Sequence, residues 1–330
     1  MGRATILTGL GAAVPEKVLT NEMLAARMDT TDEWIVSRTG IRERRVVTPD
    51  IATGDLAVQA GAHALKSAEL DSVDAVVLAT TTPDHRCPAT GPSVAARLGL
   101  GRIPAYDVSA VCSGFLYGLA NGAGLISAGI ADRVLVIGAE AFTTIIDPDD
   151  RTTAPIFGDG AGAVVLEAGD EAQRGALVGF DLGSDGDLAD LIMIPAGGSR
   201  LRTSDDPGDV FMKMQGKQVF MNAVTRMVES TRNVLDKTGW PADSVDLLVG
   251  HQANVRILHA VADQLGLPRE KAFVNLDKYG NTAAASIPLA LADAAASGRL
   301  RPGDRVLLTA FGGGATWGSV TLEWPQLKSV

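Results

Sequence analysis

Val94-Ala95-Ala96-Arg97-Leu98-Gly99-Leu100 returns late in the chain, in altered form, as Val261-Ala262-Asp263-Gln264-Leu265-Gly266-Leu267. The first copy leads into the mostly apolar run Ile103 to Ala110, the break Cys112-Ser113-Gly114, a helix of small residues and the strand-like Arg133-Val134-Leu135-Val136-Ile137. The second leads into Ala272 to Leu276, the break Tyr279-Gly280-Asn281-Thr282, another small-residue helix and Arg305-Val306-Leu307-Leu308. Each copy reads as helix, strand, break, buried helix, strand, so the chain is a duplication. Counted from the Leu-Gly-Leu marker, Cys112 and Asn281 stand at nearly the same point, where a strand hands over to a helix N-terminus. α/β proteins place reactive groups there.

The 330 residues suffice for two domain-sized units, assigned to residues 1–171 and 172–330, with the boundary near Gly169 to Gly175. The chain is 46% hydrophobic but only 5% aromatic, with 37 glycines, which predicts helices packed closely on sheets. A net charge of -10 argues against nucleic acid as a partner, because phosphate binding needs a basic surface. Two cysteines, Cys87 and Cys112, imply no disulfide framework and fit a reducing cytoplasm. No apolar run approaches the ~20 residues of a membrane span, and the opening Arg3 to Val14 is read as a strand and turn.

Hydrophobic patterning alternates strands with helices, the pattern of a mostly parallel sheet. Strands are expected at 5–11, 75–80, 105–110, 133–139, 162–167, 176–182, 247–250, 272–275, 305–310 and 319–324. Helices are expected at 32–39, 53–67, 92–98, 113–128, 216–237, 255–264 and 282–296. Thr30, three residues before Glu33, reads as a capping box opening the helix that carries Trp34. Gly183 to Asp209 reads as a long surface loop.

Three side chains suit acyl transfer. Cys112 sits at a helix start, where the macrodipole draws a thiol pKa below its free value of ~8.5; a buried inert thiol is the alternative. His251 follows the apolar run ending at Gly250, either facing a crevice or serving the core. Asn281 follows Gly280, either as an amide donor or as turn chemistry. As a set they compose a nucleophile with two neutral donors for an oxyanion or enolate. The run Phe311-Gly312-Gly313-Gly314-Ala315-Thr316-Trp317-Gly318 adds unobstructed backbone N–H groups, and Phe157 to Gly162 reads as a structural turn.

Cys112 in Ser109-Ala110-Val111-Cys112-Ser113-Gly114, His251-Gln252-Ala253-Asn254, Tyr279-Gly280-Asn281-Thr282 and Phe311-Gly312-Gly313-Gly314 closely resemble the β-ketoacyl-ACP synthase III family of the thiolase superfamily. So do Asp32 to Ile35 and Arg38 to Arg44, and the likeness runs almost end to end. It implies an α/β thiolase-like fold of five layers, αβαβα, from duplicated βαβαβαββ halves, in a cytoplasmic homodimer. The implied reaction condenses a short-to-medium acyl-CoA primer with malonyl-ACP through an acyl-Cys112 intermediate, giving 3-oxoacyl-ACP, CO2 and CoA. It would initiate fatty acid or polyketide synthesis and use no metal or cofactor. A starter-unit acyltransferase and a non-catalytic acyl-binding subunit are the alternatives, disfavoured by Asn281 and Cys112 respectively.

By the same resemblance, His251 and Asn281 hold the malonyl thioester, and the N–H groups of Cys112 and Gly313 form the oxyanion hole. Trp34, Arg38, Arg151 and Asn254 would bind CoA. Gln252, Ala253, Asn254, Val255 and Arg256 would meet the carrier protein, with Lys213 and Lys217 extending a positive patch. Cys87, Leu191, Phe211 and Phe311 would border the acyl pocket. Acetyl-preferring relatives place Phe where this chain has Cys87, so primers longer than acetyl are expected.

Overall fold

The computed structural model describes residues 3–328. Two sheets carry the architecture. The first runs, from edge to edge, Ala4–Ala13, Gly160–Gly169, Arg133–Glu140, Ala75–Ala79, Ala105–Val108; the second runs Leu177–Ser184, Thr316–Glu323, Arg305–Gly312, Leu247–Gly250. In both, the strands at one edge pair in parallel and those towards the other edge antiparallel, so the spatial order repeats as well as the sequence.

The period of two along each strand sorts side chains into layers. Val77 and Val136 face inward and Val76 and Leu78 outward; in the second sheet Val249 and Leu308 face inward and Leu248 and Leu307 outward. Between the sheets lie the helices Gly114–Ser127 and Ser286–Ala296, contributing Phe115, Leu119, Ile287 and Leu291 to one shared core. Helices Thr53–Ala68 and Gly91–Arg97 cover the outer face of the first sheet, and Gly216–Thr238 and Val255–Leu265 that of the second. This is the five-layer order expected. Small residues set the spacing: a Cβ on Gly138 would lie 2.4 Å from Ala284 O, so strand and opposing turn touch backbone to backbone.

The expected mostly parallel sheet is not found: within these two sheets three strand pairings are parallel and four antiparallel. Two local expectations also fail. The cap of helix Asp32–Thr39 is Thr31, whose hydroxyl accepts from Trp34 N at 3.1 Å; Thr30 lies one residue too early and its hydroxyl has no partner. The run 272–275 is not a strand beyond a single bridge to Leu248. The Gln252 side chain takes the place of a strand partner there, donating to Gly250 O and Phe273 O and accepting from Asn275 N.

Candidate active site

Cys112 sits in the short 3-10 turn Val111–Ser113, directly before helix Gly114–Ser127. Val111 is held at φ 48°, a left-handed conformation that costs a β-branched residue about 1–3 kcal/mol. The turn is locked from the other half: the Ser113 hydroxyl is 2.8 Å from Ala110 O and 2.7 Å from the Thr316 hydroxyl. A Cβ on Gly312 would lie 2.7 Å from Cys112 N, which explains the first glycine of the run: the loop passes against the backbone of Cys112 itself.

The expected low thiol pKa is not found. Cys112 is 6% exposed, and burial, reinforced by the nearby Glu140 carboxylate, pushes it up to about 12. The helix start is present, but desolvation of a thiolate among Phe142, Phe157 and Ile146 outweighs it. Glu140 itself is fully buried at the end of its strand, accepting from Thr82 Oγ1 at 2.8 Å and Thr81 N at 3.1 Å, and burial raises it to about 7.

His251 is the first residue beyond strand Leu247–Gly250, anchored by its N–H to Thr309 O. It is 4% exposed, and burial alone lowers it to about 3, so the ring is neutral. Nδ1 lies 2.6 Å from the hydroxyl of Ser286, a residue that sequence reasoning did not single out. The signal was a lone hydroxyl following Ala283-Ala284-Ala285 at a helix start.

Asn281 is clamped by its backbone: its N–H donates to Ile156 O at 2.8 Å and its carbonyl accepts from Gly158 N at 3.0 Å. The segment read as a plain turn therefore holds this residue in place. Its Oδ1 accepts from Ala283 N at 2.9 Å, which assigns the amide orientation and leaves Nδ2 as the free donor.

All three residues line one cavity of about 140 Å³. Phe142 and Phe157, stacked at 4.6 Å, form part of its wall, and Phe220, Ala253 and Asn254 also line it. Of the residues expected around the acyl chain only Phe311 lines it. Leu191 and Phe211 do not; Ile192 and Met214, in the short strands adjoining them, do. Cys87 is exposed, in a loop fixed by Asp84, which accepts from Gly54 N at 2.7 Å.

The expected CoA residues are gathered on the surface. Trp34 has the guanidinium of Arg38 at 4.9 Å and that of Arg151 at 5.2 Å from its ring, and Asn254 Nδ2 donates to Arg38 O. Asn254 also caps helix Val255–Leu265, accepting from Arg256 N. Two expected carrier-protein contacts are corrected. Gln252 is 1% exposed and fully used in holding the 272–275 segment, so no partner can reach it. Lys213 is neutralised by Asp209 and Asp206. Arg256 is exposed, over the Phe220 ring at 5.6 Å.

Family models match at residues 106–186, described as 3-oxoacyl-[acyl-carrier-protein (ACP)] synthase III, and 235–324, described as its C terminal. A curated Streptomyces coelicolor protein named beta-ketoacyl-[acyl-carrier-protein] synthase III 5 is 59% identical over 100% of both chains. The crystal structure of a Pseudomonas aeruginosa 3-oxoacyl-(acyl carrier protein) synthase III superposes with a TM-score of 0.94 at 54% identity, covering 99% of this chain and all of that one. That of the priming beta-ketosynthase from the R1128 polyketide biosynthetic pathway gives 0.91 at 32% identity, covering 98% and 97%.

Proposed function

The chain belongs to the β-ketoacyl-ACP synthase III family, and on that premise we propose that Cys112, His251 and Asn281 divide its condensation between them. Cys112 sulfur attacks the acyl-CoA carbonyl; the carbon–sulfur bond to CoA breaks, and the thiol proton leaves with CoA. Burial keeps the resting group a thiol, so its proton has to leave as the sulfur attacks, because the thiolate is the nucleophile. The acyl carbonyl oxygen takes the N–H groups of Cys112 and Gly313.

Malonyl-ACP then enters. Loss of CO2 leaves the electron pair on an enolate, held by neutral donors, the His251 ring and Asn281 Nδ2. The enolate carbon attacks the acyl-Cys112 carbonyl, the new carbon–carbon bond forms, and the released sulfur takes one proton from solvent. The observation that carries this assignment is the convergence of the three residues on one cavity. Labelled acyl-CoA with peptide mapping, paired with a CO2-release assay, tests it. Label on Cys112 with CO2 release is expected; label without CO2 makes the protein an acyltransferase, and no label an acyl-binding subunit.

CoA adenine stacks on Trp34. Arg151 already covers that ring at 5.2 Å, and an intervening base needs about 7 Å, twice a van der Waals contact, so Arg151 swings away from its exposed partner Asp29. Arg256 and the exposed Lys217 receive the acidic carrier protein. The enzyme works in a reducing cytoplasm as a homodimer, the partner's Cys87 loop closing the acyl pocket. A small side chain there leaves room for primers longer than acetyl.

A further inference from the structure

Ser286 opens the buried helix Ser286–Ala296 and is 2% exposed. Its Oγ stands 2.6 Å from His251 Nδ1 and accepts from Gln252 N at 3.3 Å. One proton lies between Nδ1 and Oγ, and its ownership follows from what else is available. If the ring donated it, Oγ would accept twice and its own hydroxyl proton would need a third partner. Among the described residues none is within hydrogen-bonding reach of Ser286 Oγ except Nδ1 and Gln252 N, which is itself a donor. A buried hydroxyl proton left unpaired has lost its water partners with nothing in exchange. If the hydroxyl donates, Ser286 Oγ and His251 Nδ1 are both satisfied, and the single ring proton sits on Nε2, the nitrogen left to meet a ligand in the cavity that His251 lines.

We propose that Ser286 is a positioning residue that donates its hydroxyl proton to His251 Nδ1 and so fixes the tautomer in which Nε2–H is the hydrogen-bond donor to the malonyl thioester oxygen. The consequence is a division by half-reaction. A ring protonated on Nε2 donates to an enolate oxygen but cannot take the Cys112 proton at that nitrogen, so Ser286 matters to decarboxylation and not to acylation. Because the imidazole is neutral in the folded protein, the tautomer rather than the charge decides what Nε2 does. In the first half of the chain the corresponding helix begins at Gly114, which offers no hydroxyl.

The inference rests on His251 serving the malonyl half-reaction, and the experiment separates the two claims. Two-bond 1H–15N correlation spectra of the full-length enzyme, labelled at its 4 histidines and with His251 assigned from His251→Asn, read the tautomer directly. The expected wild-type pattern is Nε2 protonated and Nδ1 bare, giving way in Ser286→Ala to a mixture or to Nδ1 protonation. In the same variant CO2 release should fall about 10- to 100-fold, as for other residues that orient a catalytic ring, while the acylated fraction of Cys112 stays at its wild-type value. Ser286→Thr, which keeps the hydroxyl, should restore both the spectrum and CO2 release. A wild-type ring protonated on Nδ1, or a tautomer unchanged in Ser286→Ala, overturns the inference. An Nε2-protonated ring with CO2 release indifferent to both Ser286→Ala and His251→Asn overturns instead the role given to His251.

Discussion

The two halves of the molecule share a frame and differ in what they hang on it. Val111 at φ 48° and Ala283 at φ 44° mark the same strained turn in each. After the first come Cys112, Ser113 and the helix from Gly114; after the second come Ala284, Ala285 and the helix from Ser286. Cys112 is thus matched by Ala284, and Asn281 by Ser109, not by Cys112 as counting from the Leu-Gly-Leu markers suggests. The strand ends differ likewise, Thr80 following Ala75–Ala79 and His251 following Leu247–Gly250. One half places Cys112 directly after its turn, and the other has alanine there and places His251 at the strand end and Asn281 just before the turn. A duplicated fold brings both sets to one cavity because equivalent strand ends meet across the shared helix layer, where Gly138 touches Ala284.

The comparison can be broken at the nucleophile first. Cys112→Ser should lose acyl-enzyme formation by about 10³-fold or more, read by intact mass and peptide mapping; an adduct on Cys87 instead would move the nucleophile out of the turn. On the donor side, Asn281→Ala should slow CO2 release by about 10²- to 10³-fold while acylation persists.

A smaller effect separates the halves by pH. His251 has a folded value near 3 against 6.5 unfolded, so its contribution is present above pH 6.5 and is lost as pH falls towards 3. Glu140, raised to about 7 from 4.5, works oppositely: its contribution is full below pH 4.5 and is lost as pH rises through 7. Between pH 7 and 5 each is worth about 2 kcal/mol, with opposite sign, so they nearly cancel. Urea unfolding at the two pH values should therefore find Glu140→Gln less stable at pH 5 than at pH 7, and His251→Asn more stable at pH 5. Parallel behaviour of the two variants would remove the pKa assignments.

The smallest expected effect concerns the primer. At ~0.8 kcal/mol per buried methylene, each added carbon improves binding about fourfold until the pocket fills. Cys87→Phe should therefore shift acyl-CoA competition back towards acetyl. An unchanged preference would take the Cys87 loop out of the pocket.

Much of this was written in the chain in plain terms. Repeated apolar runs ending in small residues fixed the layers, because close helix–sheet packing leaves few other compositions, and the three residues that meet at one cavity could be singled out because they stand at strand-to-helix breaks. Apart from the one-residue shift of the helix cap, the failures share a cause, since each depends on contacts between distant segments. Nothing local in Ala272 to Asn275 reveals that a glutamine side chain from the neighbouring strand end pairs with its backbone. That same pairing removes Gln252 from the surface. The raised Cys112 thiol follows from Phe142, Phe157 and Glu140 closing over it, which no helix-start rule contains. Ser286 gains its meaning only from His251, 35 positions away.

The division of labour between halves is tested most directly by crossing two variants with two half-reactions on the same preparations. Cys112→Ala should take no acyl label yet still release CO2 from malonyl-ACP, because the donors of the second half are intact. Asn281→Ala should take the label on Cys112 at the wild-type level and release almost no CO2. If instead each substitution abolishes both half-reactions, the two halves do not act separately and the assignment of nucleophile to one and enolate donors to the other is contradicted.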